Sequence, residues 1–328
     1  MPSPPQPILP MRHFAIYDAV VQSEFPFRFP FSEIDAPANL TVEVVGGGVA
    51  SDGGALIFET DNDELAPPLR RIERRADGTD LLTFFNEDQV ELSDGWIRYR
   101  IVNESYEAPW LHHFVELRLW GSSCAWWLLR RGRLPMHGGA MRLDDGATLF
   151  MAVAGTGKST LMASLINQGY PLLSDDLTPL WIDDRGVATI ASGYPQMRMW
   201  PETVRQFVGD PADFAQVYPW QEKRLIRIGA PWGRFQQGQF PLKKIVLLER
   251  REGHEGPITV EMLAGHEAFM TLMVGMFQAA VRPTRELPTI WEQLSPIVDT
   301  IPLFRLSYPS GWEQLPAVHA QLRQLAQD

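Results

Sequence analysis

The chain has 328 residues, 45% hydrophobic and 21% charged, a globular composition long enough for one large domain or two of moderate size. With 40 acidic against 29 basic residues, its formal net charge of -11 argues against a duplex nucleic-acid binder, which needs a basic footprint. The single cysteine, Cys124, excludes an internal disulfide, and the longest apolar run near a helical pattern, "CAWWLL" (124–129), is far short of a membrane span.

Residues 1–12 are proline-rich, without the basic and apolar regions of a signal peptide, and are expected to be a disordered tail of a soluble cytoplasmic protein. From 13 to 108 the chain reads as a strand-rich domain. "LTVEVVG" (40–46), "ALIFET" (55–60), "LLTFFN", "QVELSDG" and "WIRYRIV" are short strands, and "GGGVASDGG" punctuates them. Residues 109–132 predict a connecting helix, with bulky side chains at three- and four-residue steps. Adjacent residues on a helix point about 100° apart, so His112 and His113 read as packing rather than as metal ligands, and the tryptophans beside them as core.

The third segment, 133–328, mixes strands and helices. "PMHGGAMRL" and "ATLFMAVA" form a hairpin, and a helix and the apolar strand "YPLLSDD" follow. "LTPLWI" and "VATIAS" make a second hairpin. Then come a strand at 244–249, helices over 265–281 and 285–298, a strand at 302–309 and a helix over 311–326. Hairpins among the strands predict an α/β fold with a mixed sheet rather than a purely parallel one.

Between "TLFMAV" and "STLMASLINQ" lies "AVAGTGKST" (152–160), a phosphate-binding loop in all but its first letter. Backbone N–H groups of such a turn and of the helix start surround phosphates; the lysine reaches the outer ones and the next hydroxyl binds Mg²⁺. Ala154, Gly155, Thr156, Gly157, Lys158, Ser159 and Thr160 are the expected nucleotide contacts. Ala152 replaces the first glycine, a change tolerated where φ stays negative. Leu161, Met162, Leu165 and Ile166 form the helix's apolar stripe, and Gly169 stops it.

Asp175 and Asp176 end an apolar strand 17 residues beyond Lys158, one helix and one strand away. One carboxylate can hold Mg²⁺ and the other accept a proton from an attacking hydroxyl. His137, before the loop strand, reads either as hydrogen-bonded core or as a partner of Asp175.

Residues 136–181, "MHGGAMRLDDGATLFMAVAGTGKSTLMASLINQGYPLLSDDLTPLW", resemble the catalytic core of the HPr kinase/phosphorylase family. The shared order is His-Gly, strand, Gly-x-Gly-Lys-Ser, helix, Gly, and an apolar strand closing on Asp-Asp. The resemblance implies a phosphoenolpyruvate-carboxykinase-like P-loop kinase core, with Lys158 and Ser159 on phosphates and Mg²⁺, Asp175 as catalytic base, His137 beside it and Asp176 at the metal. "GYPQMRMWPE", "EKRLI" and "PLKKIVLLER" resemble the shorter HPr-kinase-related proteins of peptide-biosynthesis clusters; their lasso-peptide members phosphorylate a serine of the precursor. Glu202 is the one candidate offered for the family's later metal-binding glutamate, and Arg198, Lys223 and Arg224 are candidate phosphate or substrate contacts.

The expectation is thus an ATP- and Mg²⁺-dependent serine kinase acting on a precursor peptide or small protein, with no nucleic-acid or membrane partner and homo-oligomerisation left open. A small-molecule kinase or carboxykinase-like phosphotransferase is the second reading, and a nucleotide-gated binding module without transfer chemistry the third.

Overall fold

Alternation decides the N-terminal strands: Ala19, Val21 and Ser23 are buried while Val20 and Gln22 between them are only partly so, giving a sheet with one covered face. The computed structural model describes residues 10–61, 69–102, 110–143, 146–251, 256–277 and 287–325. Most of the expected tail, residues 103–109, the Asp144-Asp145 turn, the end of the helix expected over 265–281, residues 285–286 and the last helical residue, 326, lie outside these. Contacts divide the chain into two units, one from Met1–Arg131 with Ala280–Leu287, the other from Gly132–Ala279 with Pro288–Asp328.

The first unit has nine strands among its described residues: β1 (Arg12–Ile16), β2 (Ala19–Ser23), β3 (Ser32–Glu33), β4 (Leu40–Gly46), β5 (Ala55–Glu59), β6 (Leu69–Arg74), β7 (Asp80–Phe84), β8 (Gln89–Leu92) and β9 (Trp96–Ile101). They form one sheet in the order β3-β1-β2-β4-β9-β8-β7-β6-β5, with β2–β4 and β4–β9 parallel and the other neighbours antiparallel.

The helical stretch that follows is two helices, α1 (Trp110–Arg118) and α2 (Cys124–Arg130), joined by a π turn over Leu119–Ser123. There the Cys124 N–H donates to the Leu119 carbonyl five residues back, so the expected single helix is interrupted. Trp120, Trp126 and Trp127 are buried, and Trp126 Nε1 donates to Asp80 Oδ2 at 2.7 Å. His112 stacks on Phe25 and His113 packs edge-on against Trp110. The histidine pair is packing, as its spacing suggested.

Glu116 on α1 is fully buried, and its Oε1 accepts the backbone N–H groups of Arg28 and Phe29. Burial, only partly offset by those bonds, pushes its pKa up to about 7. A raised folded pKa stabilises most below the unfolded value and loses that contribution as pH rises through about 7. Glu116→Gln keeps the acceptor oxygen without the titration. Its thermal midpoint is therefore expected to overtake that of the unsubstituted protein as pH rises past neutrality, in melts recorded across that range.

The second unit contains β10 (Leu134–Leu143), β11 (Gly146–Ala152), α3 (Lys158–Asn167), β12 (Leu172–Ser174), β13 (Leu177–Ile182), β14 (Ala188–Ala191), β15 (Gln196–Met199) and α4 (Pro201–Phe207). It continues with β16 (Gln216–Tyr218), β17 (Gln221–Arg227), β18 (Gln239–Arg251), β19 (Thr259–Leu263), α5 (Gly265–Val274), α6 (Leu287–Thr300), β20 (Leu303–Pro309) and α7 (Leu315–Gln324). β11 lies between antiparallel β10 and parallel β18. The first half of β10 pairs with β13 and the start of β18 with β14, so the path β11-β10-β13-β14-β18 returns to β11. The fold is mixed α/β, and its sheet is mixed as the hairpins required.

The α3 stripe of Leu161, Met162, Leu165 and Ile166 is buried against Phe150, Val246 and Leu306. Gly139 of β10 lets α3 come close, because a Cβ there would sit 2.4 Å from Met162 Sδ. α5 ends at Val274, earlier than expected: Met276 bridges to Met136, and the Phe277 N–H donates to the Pro135 carbonyl at 2.6 Å. Pairing with β10 takes over from the helix there. A separate three-stranded sheet, β15-β17-β16, was not foreseen as strands.

Candidate functional site

β11 ends at Ala152, whose φ is negative and which pairs in register with Leu248, so the missing glycine costs the turn nothing. Beyond it Val153, Ala154 and Gly155 are exposed. Gly155 and Gly157 take φ of +85° and +95°, values that need glycine. Gly157 caps α3 without a side-chain bond. Among the described residues, the N–H groups of Gly155, Gly157, Lys158, Ser159 and Thr160 find no backbone acceptor. A ring of unpaired donors at a helix N-terminus suits phosphate oxygens.

Lys158 turns inward and is 9% exposed. Its Nζ lies 3.2 Å from Asp175 Oδ1 and 3.5 Å from Asp176 Oδ1. β12 and its turn deliver both acids there, and Asp176 adopts φ +63°, a left-handed conformation that an aspartate tolerates better than most residues. Asp175 Oδ2 accepts the Arg198 backbone N–H at 3.1 Å, and Arg198 Nη1 lies 3.3 Å from Asp176 Oδ2. The acids 17 residues beyond the lysine do return to it.

The charges explain one another. Burial disfavours the Asp176 carboxylate, but the Lys158 and Arg198 charges above all outweigh it and hold the pKa far below the usual range. Burial likewise opposes the Lys158 ammonium, and Asp175 and Asp176 overcome it and raise its pKa. His137, on β10 across from Leu177, is lowered by burial and then by Lys158, against the pull of both acids. It is therefore neutral at neutral pH. The Gly138 N–H next to it donates to the Asp176 carbonyl at 3.1 Å, which ties this strand to the acid turn.

Ser159 and Thr160 open α3, and Thr160 Oγ1 shares a 3.0 Å hydrogen bond with Thr203 of α4. Glu202 beside Thr203 is exposed, and among the described residues no three His, Cys, Asp or Glu side chains gather at ligand distance. Arg224 donates to the carbonyls of Pro211 and Glu222 and does not join the cluster. Lys223 sits 5.3 Å over the Trp200 ring.

Two residues here escaped the sequence reading. Arg250, at the end of β18, donates from Nη2 to the Gly155 carbonyl at 3.2 Å, and its Cδ lies 3.7 Å from where a Gly157 Cβ would be. Its signal was the cation closing "KIVLLER", a strand that runs parallel to the loop strand. Tyr194 is pushed up to about 12 by burial and sits within electrostatic reach of Arg198 and both acids. Nothing in its local sequence marks it.

No family model and no curated protein matches the chain. Among solved structures it is similar to the Hpr(Ser) kinase/phosphatase from Coxiella burnetii, with a TM-score of 0.32 and 13% identity over 58% of this chain and 95% of that one. A likeness of that size assigns no family. No helix among the described residues is long and apolar enough to cross a membrane.

The lowered His137 pKa stabilises the fold above the unfolded value, about 6.5, and that contribution is lost as pH falls through the folded value. His137→Asn is therefore expected to lose less stability than the unsubstituted protein between about pH 7.5 and about pH 5.5, read from urea midpoints. Equal losses would remove His137 from the charge cluster.

Proposed function

We propose that the chain is an ATP- and Mg²⁺-dependent serine kinase that phosphorylates a hydroxyl on a precursor peptide or small protein, in the manner of the HPr-kinase-like proteins its 136–181 segment resembles. The observation that carries the reading is the buried Lys158 ammonium at the end of a glycine turn, in contact with both Asp175 and Asp176. Support also comes from the unpaired N–H groups of the loop and the helix start.

Bound ATP with Mg²⁺ supplies the transferable γ-phosphoryl group and the positive charge that its oxygens need. Within the cluster, two carboxylates balance Lys158 and Arg198, so a triphosphate would bring uncompensated negative charge and an added cation is required. Ser159, at the first turn of α3, and Asp176 are the groups we assign to that cation. Lys158 then leaves Asp175 free to serve as base and turns to the phosphates. Asp175, fixed through Oδ2 by the Arg198 N–H, takes the proton of the attacking serine hydroxyl. The serine oxygen bonds to phosphorus as the bond to ADP breaks. His137, neutral and adjacent, orients the acids without adding charge.

Incubation with γ-labelled ATP and the peptide encoded beside the gene is expected to label a serine. Asp175→Asn should lower transfer at least roughly 100-fold while leaving MgATP affinity within a few-fold. Label on no serine or threonine contradicts the kinase reading, and transfer retained in Asp175→Asn contradicts the base.

A further inference from the structure

The β15-β17-β16 sheet has one face turned to the core and one turned away. On β15, Met197 and Met199 are fully buried in the core, so Gln196 and Arg198 take the opposite face. Across from them on β17, buried Ile226 pairs with Met197, while exposed Arg227 pairs with Gln196. Lys223 is four residues before Arg227 and shares its face. Arg198 is the point where this face meets the acid pair, through its 3.3 Å contact with Asp176. Two indoles flank it: Trp200 is 40% exposed under the Lys223 ammonium, and Trp220 is 74% exposed and stacked on Tyr218.

The charge on this small sheet is opposite to that of the chain. Its strands hold four cations against one acid, Glu222, in a protein of net charge -11; Arg198, Lys223 and Arg227 share the outward face, and Arg224 pairs with Met199 on the other. On the nine-stranded sheet several arginines are matched to carboxylates, as Arg71 is to Glu73, Arg75 to Glu91 and Arg98 to Glu43. Lys223 and Arg227 have no carboxylate within 4.0 Å among the described residues. Gln196 adds a second irregularity: it is 8% exposed, and its buried Nε2 finds no acceptor among the described residues. An amide donor left unpaired at such depth is costly unless something else supplies a carbonyl.

We propose that this face binds an acidic peptide segment of the phosphate acceptor, one carrying Asp or Glu beside the hydroxyl presented to Asp175. Lys223 and Arg227 meet its carboxylates, Gln196 donates to its backbone, and the two indoles cover its apolar or aromatic side chains. The inference deepens the kinase reading and rests on it for the acceptor's position, although binding itself needs no transfer. Basic and aromatic residues together also suit single-stranded nucleic acid, but three cations on one short face fall short of the extended basic groove that tracks a nucleic-acid backbone, in a chain of net charge -11.

Fluorescence anisotropy separates these outcomes, using the full chain and three labelled probes: a peptide of alternating Glu and Ser, its Lys-Ser counterpart, and an oligothymidylate. The Glu-Ser peptide is expected to bind both the unsubstituted protein and Asp175→Asn, and to weaken as salt rises. Lys223→Glu with Arg227→Glu should weaken it at least roughly tenfold, and Trp220→Ala, at a position 74% exposed, by several-fold, with the fold of each variant checked by circular dichroism. Equal binding of the Glu-Ser and Lys-Ser peptides, unchanged binding in the double variant, or preference for the oligothymidylate would overturn the proposal. Binding of the Glu-Ser peptide with no transfer to any peptide leaves the surface standing and removes the kinase reading. Transfer with no preference for acidic flanks does the reverse.

Discussion

A buried ammonium must be surrounded by negative charge, and the second unit is arranged so that Lys158 is. Its ion pairs with Asp175 and Asp176 join the glycine turn after β11 to the acid turn after β12. Arg198 then joins the acid turn to β15. Breaking one partner of such a buried set costs about 3–5 kcal/mol, because the other charge is left uncompensated. Three separate stretches of chain that share one apolar core are therefore also joined to one another by charge.

Apolar packing holds the stage on which those charges meet. β11 is an interior strand of the closed strand path, and α3 rests on it through one stripe while Gly139 lets it approach. The open end of that stage is polar. Loop donors lie on one side, the acid pair in the middle, and the basic face of the β15-β17-β16 sheet on the other. The contacts of Lys158 and Arg198 with the acid pair join those two sides.

The strand–turn–helix of the loop was legible because each part obeys a local rule: an apolar strand, glycines where φ is positive, then a 3.6-residue stripe. The 17-residue interval to the acids was legible as one helix and one strand, since chain length alone constrains where such a strand can return. Arg250 was not, because it reaches the loop through pairing between strands distant in sequence, and Tyr194 was not, because its burial beside Arg198 and the acids is set by tertiary packing of a segment outside the strands. The π turn in the tryptophan-rich helix and the early end of α5 were hidden for the same reason. Both depend on backbone bonds that no side-chain pattern records. The β15-β17-β16 sheet has short strands interrupted by charge, which carry no clear period of their own until pairing sets their faces.

Titration calorimetry of MgATP against the unsubstituted protein and Lys158→Ala tests the central claim most directly. The account predicts a saturable site in the former and at least roughly tenfold weaker binding in the latter, with the folded state confirmed by circular dichroism. Equal affinity in both proteins, or none in either, would contradict it.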